Sequence, residues 1–218
     1  MLGILGFSDV VLVSVALINF LRLLYVGVAM GYGFRELGKA LQMLKDIGVE
    51  GVIIGDTVLN YFLGVKELSG DVDLFVTSLS PFSDADLISA RVERLGWDVG
   101  MTELGTPSVI ALIEGKEITI ELYENLFDFY VPKQIVDGAL TVKIGDFRSR
   151  MITLENYIVL KARAGRERDI NDLQVISSLM NEGKLRINVR SIRKCSEFFD
   201  EDDWKSIVSR LRFVGIKV

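Results

Sequence analysis

The sequence predicts an α+β fold: a mixed β-sheet flanked by helices, followed by a C-terminal helical subdomain. Three observations predict it. Helical spacing and short β-branched runs are interleaved up to about residue 152. The later strand-like runs follow one another with only turns between them, as hairpins do. From Thr153 onward the apolar spacing is mostly helical.

FRELGKALQMLKDIG (Phe34 to Gly48) places Leu37, Leu41 and Leu44 on one helix face, with Met43 beside them, and Gly48 is its expected end. VEGVIIG (Val49 to Gly55) is apolar and β-branched, so it reads as a strand. DTVLNYFLG (Asp56 to Gly64) reads as a short helix, with Asp56 the expected N-cap and Gly64 the expected C-cap. After the loop VKELSG, DVDLFV is a second strand. SDADLISARVERLG is a helix that starts at Ser83 or Asp84. WDVGMTEL, PSVIALIEG and KEITIELYE are successive strands, with a turn at Glu114-Gly115-Lys116. LFDFYVP is an aromatic loop ended by Pro132, and ALTVKIGDFRSRMI holds one or two short strands. TLENYIVLKARAG and RERDINDLQVISSLMNEG are helices, and two short helices close the chain.

These elements divide the chain into an apolar N-terminal segment (1–33), a core (34–152) and the helical subdomain (153–218). The first 34 residues hold only two charges, Asp9 and Arg22. Val10 to Met30 is long enough to span a bilayer, but Arg22 near its middle would cost about 2.5–3.5 kcal/mol on insertion. Three readings stay open: a membrane anchor through residues 10–30, an apolar helix packed on the body or on a partner subunit, or a stretch ahead of the true start. Nothing in the segment resembles a signal peptide.

Composition limits the chemistry. The chain has 218 residues, no histidine, one cysteine and a net charge of -5. Without histidine, Ser-His-Asp triads, histidine-based zinc sites and imidazole acid–base catalysis are excluded. Cys195 alone cannot form an internal disulfide, which points to a cytoplasmic protein, with membrane association through the N-terminal segment as the alternative. The mild acidity argues against coating nucleic acid by bulk charge. Arg186, Arg190, Arg193 and Lys194 could touch RNA, but five acidic residues between Glu197 and Asp203 make a solvated charged face the simpler reading.

Any acid–base or metal chemistry therefore runs on carboxylates. In Gly70-Asp71-Val72-Asp73, Asp71 and Asp73 project from the same side of a strand, while Val72 and Leu74 face the other way. Two like charges so close repel each other, and a divalent cation removes the conflict. Taken alone, the pair also fits a strand end carrying two solvated aspartates.

The order of elements sharpens the reading. An apolar strand ends at Gly55, a short helix follows, and Asp71 comes sixteen residues after Gly55. This resembles the DNA polymerase β-like nucleotidyltransferase superfamily, in which a strand ends in Gly-Gly or Gly-Ser at a helix start and an Asp-x-Asp strand follows. The resemblance implies a nucleotidyltransferase fold and a magnesium- or manganese-dependent enzyme. Such an enzyme moves a nucleoside monophosphate from a nucleoside triphosphate (ATP or another) to an acceptor hydroxyl on a protein, a tRNA or a small molecule. It implies Asp71 and Asp73 as metal ligands and catalytic residues. Glu121, flanked by apolar residues in KEITIELYE, is nominated as third ligand or general base, with Glu117 as second choice. Gly55, Asp56 and Thr57 would form the nucleotide turn. Lys66 stands in for an arginine often found in the loop before the aspartates.

Thr153 to Ile176 is similar to the helical segment after the catalytic core in small prokaryotic nucleotidyltransferases, including the abortive-infection toxin type. That similarity assigns Lys161 to triphosphate binding and matches Arg168, Asp169 and Asp172 to an Arg-Asp-x-x-Asp pattern. From helix spacing alone, Arg168 and Asp172 would pair at i,i+4. The likeness covers about Leu37 to Leu179. One position departs from it: Gly55-Asp56 replaces Gly-Gly or Gly-Ser, placing a carboxylate where triphosphate oxygens would dock. The alternative function is a binding or regulatory protein with the same fold and a degenerate site. A homodimer is a further expectation for partners.

Overall fold

The computed structural model describes residues 31–218; the apolar run 10–30, and every expectation placed on it, lies outside the described residues. Tyr32–Val218 forms one compact unit. Among the described residues, no helix is long and apolar enough to cross a membrane.

The elements follow in the order α1 (Phe34–Asp46), β1 (Gly51–Ile54), α2 (Asp56–Phe62), β2 (Val72–Val76), α3 (Ala85–Glu93), β3 (Asp98–Met101), β4 (Pro107–Ile113), β5 (Lys116–Tyr123), α4 (Lys133–Asp137), β6 (Leu140–Ile144) and β7 (Phe147–Met151). The rest is helical: α5 (Leu154–Ala164), α6 (Glu167–Asn181), α7 (Val189–Lys194), a 3-10 turn at Cys195–Phe198 and α8 (Glu201–Phe213).

The strands form a seven-stranded sheet in the order β3-β4-β5-β2-β1-β7-β6. It is mixed, as expected: β2 runs parallel to β5 and β1 parallel to β7, while the other neighbours are antiparallel. The run Ala139–Ile152 resolves into two strands, the β6–β7 hairpin. The two central strands carry the core: Val52, Ile53, Val72 and Leu74 are all buried, as are Ile118, Ile120 and Leu122 of β5. Each such side chain contributes about 1.5–3 kcal/mol on leaving water.

Helix α1 buries Leu37, Leu41 and Leu44, the predicted face. Gly38 lies against the β6–β7 turn, where a Cβ would run into the Ile144 carbonyl, so the helix approaches more closely than an alanine would allow. Thr153 caps α5 by accepting from the Asn156 amide at 3.1 Å, and Gly165 ends that helix at φ 62°. α5 packs against α2, α6 and α8, and so ties the helical region to the first β–α turn.

Four local expectations change. The N-cap of α2 is Gly55 and not Asp56, which is the first helical residue and makes no capping bond. The C-cap is Leu63, with Gly64 just beyond at φ 67°. A five-residue helix, α4, follows Pro132; it is too short to leave a period in the sequence. The last helix, α8, is thirteen residues long rather than short, with Asp200 as its cap.

Candidate active site

The register of the central strands brings the carboxylates together. Asp73 lies opposite Ile54 of β1 on one side and opposite Glu121 of β5 on the other. β2 and β5 are parallel, so side chains at paired positions share a face, and Asp73 and Glu121 project together. Asp71 precedes β2 by one residue; it is exposed, two positions from Asp73 and on the same side. Val72, Leu74, Ile120 and Leu122 form the opposite, buried face. Glu117, the second choice for third carboxylate, is exposed four residues back along β5, about 13 Å from Glu121 at strand spacing.

Gly55 seats Asp73. Its φ of 66° and ψ of −161° lie where only glycine is at ease. A Cβ built there would overlap the Asp73 carboxylate. The strand-to-helix turn thus lies directly on the carboxyl group.

The electrostatics of Asp73 follow. Burial pushes its carboxyl up, Glu121, Asp56 and Asp71 add negative charge, and Lys161 opposes them; the result is a pKa of about 7. Three phenols line the same region. Tyr32 Oη donates to the Gly70 carbonyl at 2.8 Å, Tyr123 Oη donates to Glu121 Oε2, and Tyr157 Oη donates to Asp56 Oδ1 at 3.0 Å. All three are held well above the ordinary tyrosine pKa, by burial first and then by the neighbouring carboxylates, so they stay protonated donors. The sequence nominates none of the three, because the target of a phenol hydroxyl is not legible in one dimension.

The second half of the site is a charge cluster between α2, α5 and α6. Lys161 Nζ lies 2.9 Å from Asp56 Oδ1, 3.2 Å from Asp169 Oδ1 and 2.7 Å from Asp172 Oδ2. Tyr157 and Lys161, four residues apart on α5, face Asp56 together. Burial alone would lower the Lys161 pKa, but these carboxylates raise it above the ordinary lysine value. The Asp169 side chain is fully buried and also takes Arg166 Nε at 2.8 Å.

Arg168 does not pair with Asp172. Its guanidinium donates to Asp56 Oδ2 at 2.8 Å, while Asp172 is taken by Lys161. The half-buried Asp56 carboxylate replaces the helix-surface partner expected at i,i+4. Burial pushes Asp56 up, but the Lys161 charge and the bonds from Lys161, Arg168 and Tyr157 outweigh it and hold the carboxyl below its ordinary value.

Of the remaining nominated residues, Thr57 is buried in the first turn of α2. Lys66 is exposed in the loop before β2, and among the described residues it makes no hydrogen bond or ion pair with the carboxylates. A separate cavity of about 630 Å³, lined in part by Arg193, Trp204, Lys205 and Arg212, lies in the C-terminal helices.

Asp71, Asp73 and Glu121 offer only carboxylate oxygens, the donors a hard divalent cation takes. Burial first, and then the neighbouring negative charge, raise the Asp73 pKa, and that charge is what such a cation would neutralise. Among the described residues, no three side chains are gathered into a finished metal cage. Glu121 is instead held by Tyr123. An open carboxylate set of this kind suits a cation whose remaining ligands are substrate oxygens and water.

A family model described as a nucleotidyl transferase of unknown function (DUF2204) matches residues 33–213. No curated protein is significantly similar in sequence. Among solved structures, the chain is similar to an antigenic nucleotidyltransferase-like protein from Paracoccidioides brasiliensis, with a TM-score of 0.53 and 13% identity over 86% of this chain and 96% of that one. It is also similar to the antibiotic-resistance factor ANT(2'')-Ia. The solution structure gives a TM-score of 0.41 and 16% identity, over 83% of this chain and 91% of that one. The crystal structure with adenylyl-2''-tobramycin gives 0.38 and 17%, over 81% and 95%. The Paracoccidioides brasiliensis protein shares the fold.

Proposed function

The chain belongs to the nucleotidyl transferase family of unknown function DUF2204, and from that premise we propose that it transfers a nucleoside monophosphate from a nucleoside triphosphate to an acceptor hydroxyl. One observation carries the assignment of the site: Asp73 and Glu121 stand in register on the central parallel strands, with the Gly55 turn laid against Asp73.

In this reading Asp71, Asp73 and Glu121 hold a divalent cation, magnesium or manganese, which when bound neutralises charge on the phosphate oxygens. Lys161 and Arg168 bind the distal phosphates as cationic donors. The acceptor oxygen bonds to the α-phosphorus as the bridge between the α- and β-phosphates breaks. Pyrophosphate leaves with that electron pair, and the acceptor proton passes to the Glu121 carboxylate. The chain supplies position and fixed charge, which is most of what phosphoryl-group chemistry requires.

The test is incubation with each labelled nucleoside triphosphate, a divalent cation and a set of candidate acceptors. Metal-dependent label transfer that Asp73→Asn abolishes supports the reading. Transfer that is intact in Asp73→Asn sinks the site.

A second reading, a degenerate site in a binding protein, is favoured by the engagement of Lys161 and Arg168 with Asp56. It expects no transfer with any triphosphate and no thermal stabilisation by triphosphate with metal.

A further inference from the structure

The cation pair Lys161–Arg168 already has an occupant. Lys161 Nζ lies 2.9 Å from Asp56 Oδ1, which also accepts from Tyr157 Oη, and Arg168 donates to Asp56 Oδ2 at 2.8 Å. Both carboxylate oxygens meet charged donors, the arrangement that also holds a phosphate oxygen.

We propose that Asp56 is a specificity-determining residue of the nucleotide site: its carboxylate is a tethered internal competitor that a ligand phosphate must displace from Lys161 and Arg168. This deepens the nucleotidyl-transfer reading and rests on it.

The surroundings permit the exchange. When Asp56 leaves, Lys161 keeps Asp169 at 3.2 Å and Asp172 at 2.7 Å, so no buried cation is stranded. The Arg168 side chain is 68% exposed and free to follow a ligand. The Asp56 side chain is itself 36% exposed, with solvent to turn into.

A tethered group competes at an effective concentration of about millimolar or more. Ligand affinity at the pair falls by the fraction of time the tethered group stands aside. A lone anion offers little that the carboxylate does not. A phosphate chain adds oxygens that reach beyond the pair, so Asp56 selects polyphosphate chains over simple anions.

Calorimetric titration with inorganic tripolyphosphate tests this on the full chain. Asp56→Asn and Asp56→Ser, each checked for folding by circular dichroism, are expected to bind at least tenfold tighter than the wild type. Adding Arg168→Ala to Asp56→Asn is expected to remove most of that gain. Equal or weaker binding by a folded Asp56 variant overturns the proposal, as does a gain that survives the loss of Arg168. Labelled-nucleotide transfer separates the two ideas. Transfer without an affinity gain sinks the competitor alone; an affinity gain with no transfer in any variant leaves the competitor standing and sinks the transfer reading.

Discussion

Asp73 carries its carboxylate in the space that a side chain on Gly55 would need. Gly55 also sits at φ 66°, so two separate constraints exclude any other residue there. Gly64, at φ 67° with open space around it, has only the first constraint. Gly64→Ala should therefore cost about 1 kcal/mol, from left-handed backbone alone. Gly55→Ala should cost about 3 kcal/mol or more, because backbone strain and displacement of the carboxylate act together. Urea unfolding of the two variants measures the difference. Equal losses would mean that Asp73 yields without resistance.

The raised pKa of Asp73 has a definite sign for stability. Its folded value, about 7, lies above the ordinary carboxylate value. The protonated form is the one the fold favours. Its contribution is full below about pH 4 and is lost as pH rises through 7. Asp73→Asn keeps a neutral group of similar shape, so the variant should match the metal-free wild type at pH 4 and exceed it at pH 8. The rise from the ordinary carboxylate value to about 7 sets an upper bound of about 4 kcal/mol on the gain. Thermal melts across that pH range, with chelator present, read it directly. A gain of the same size at both pH values would contradict the assignment.

What could be read in the sequence followed periodicity. Ile118, Ile120 and Leu122 alternate with Thr119, Glu121 and Tyr123, and that alternation alone puts Glu121 on the face opposite the core. The same rule places Asp71 beside Asp73. The contacts that escaped notice depend on distant partners. Asp56 and Arg168 are 112 positions apart, and nothing local shows that Arg168 leaves its i,i+4 neighbour for a carboxylate on another helix. The contacts of Tyr32, Tyr123 and Tyr157 stay hidden because the target of a hydroxyl is invisible in one dimension. The cap falls on Gly55 for a related reason: aspartate favours caps, but this aspartate is drawn away by Lys161 and Arg168.

Lys161 binds three carboxylates, with its own side chain only 12% exposed. Lys161→Met would keep the length and remove the charge. Asp169 would retain Arg166, but Asp172 would lose its partner and Asp56 would keep only Arg168 and Tyr157. The expected cost is about 3 kcal/mol at pH 7. Its pH dependence runs opposite to that of Asp73. Asp56 and Asp169 are held below the ordinary carboxylate value, so their stabilisation is present above about pH 4 and is lost as pH falls through their folded values. The penalty of Lys161→Met should therefore shrink on acidification. Denaturant titrations at pH 7 and near pH 3 compare the two conditions, and a constant penalty would show that packing of the lysine stem, not its charge, is what the variant loses.

Glu121 and Glu117 occupy the same face of one strand, four residues apart, and only Glu121 is paired in register with Asp73. Their amide variants therefore separate a site at the β2–β5 register from a general acidic requirement. Both substitutions remove one negative charge from β5, so their effect on net charge is identical. If Glu121 receives the acceptor proton and shares a cation with Asp71 and Asp73, Glu121→Gln and Asp71→Asn should each lower transfer by about a hundredfold, within the range general-base removal produces. Glu117→Gln, on an exposed position opposite Leu112 near the β4–β5 turn, should stay within about twofold of the wild type. Steady-state transfer rates at saturating triphosphate decide it. A loss in Glu117→Gln as large as that in Glu121→Gln would move the third carboxylate along the strand and dissolve the pairing with Asp73 on which the site is built.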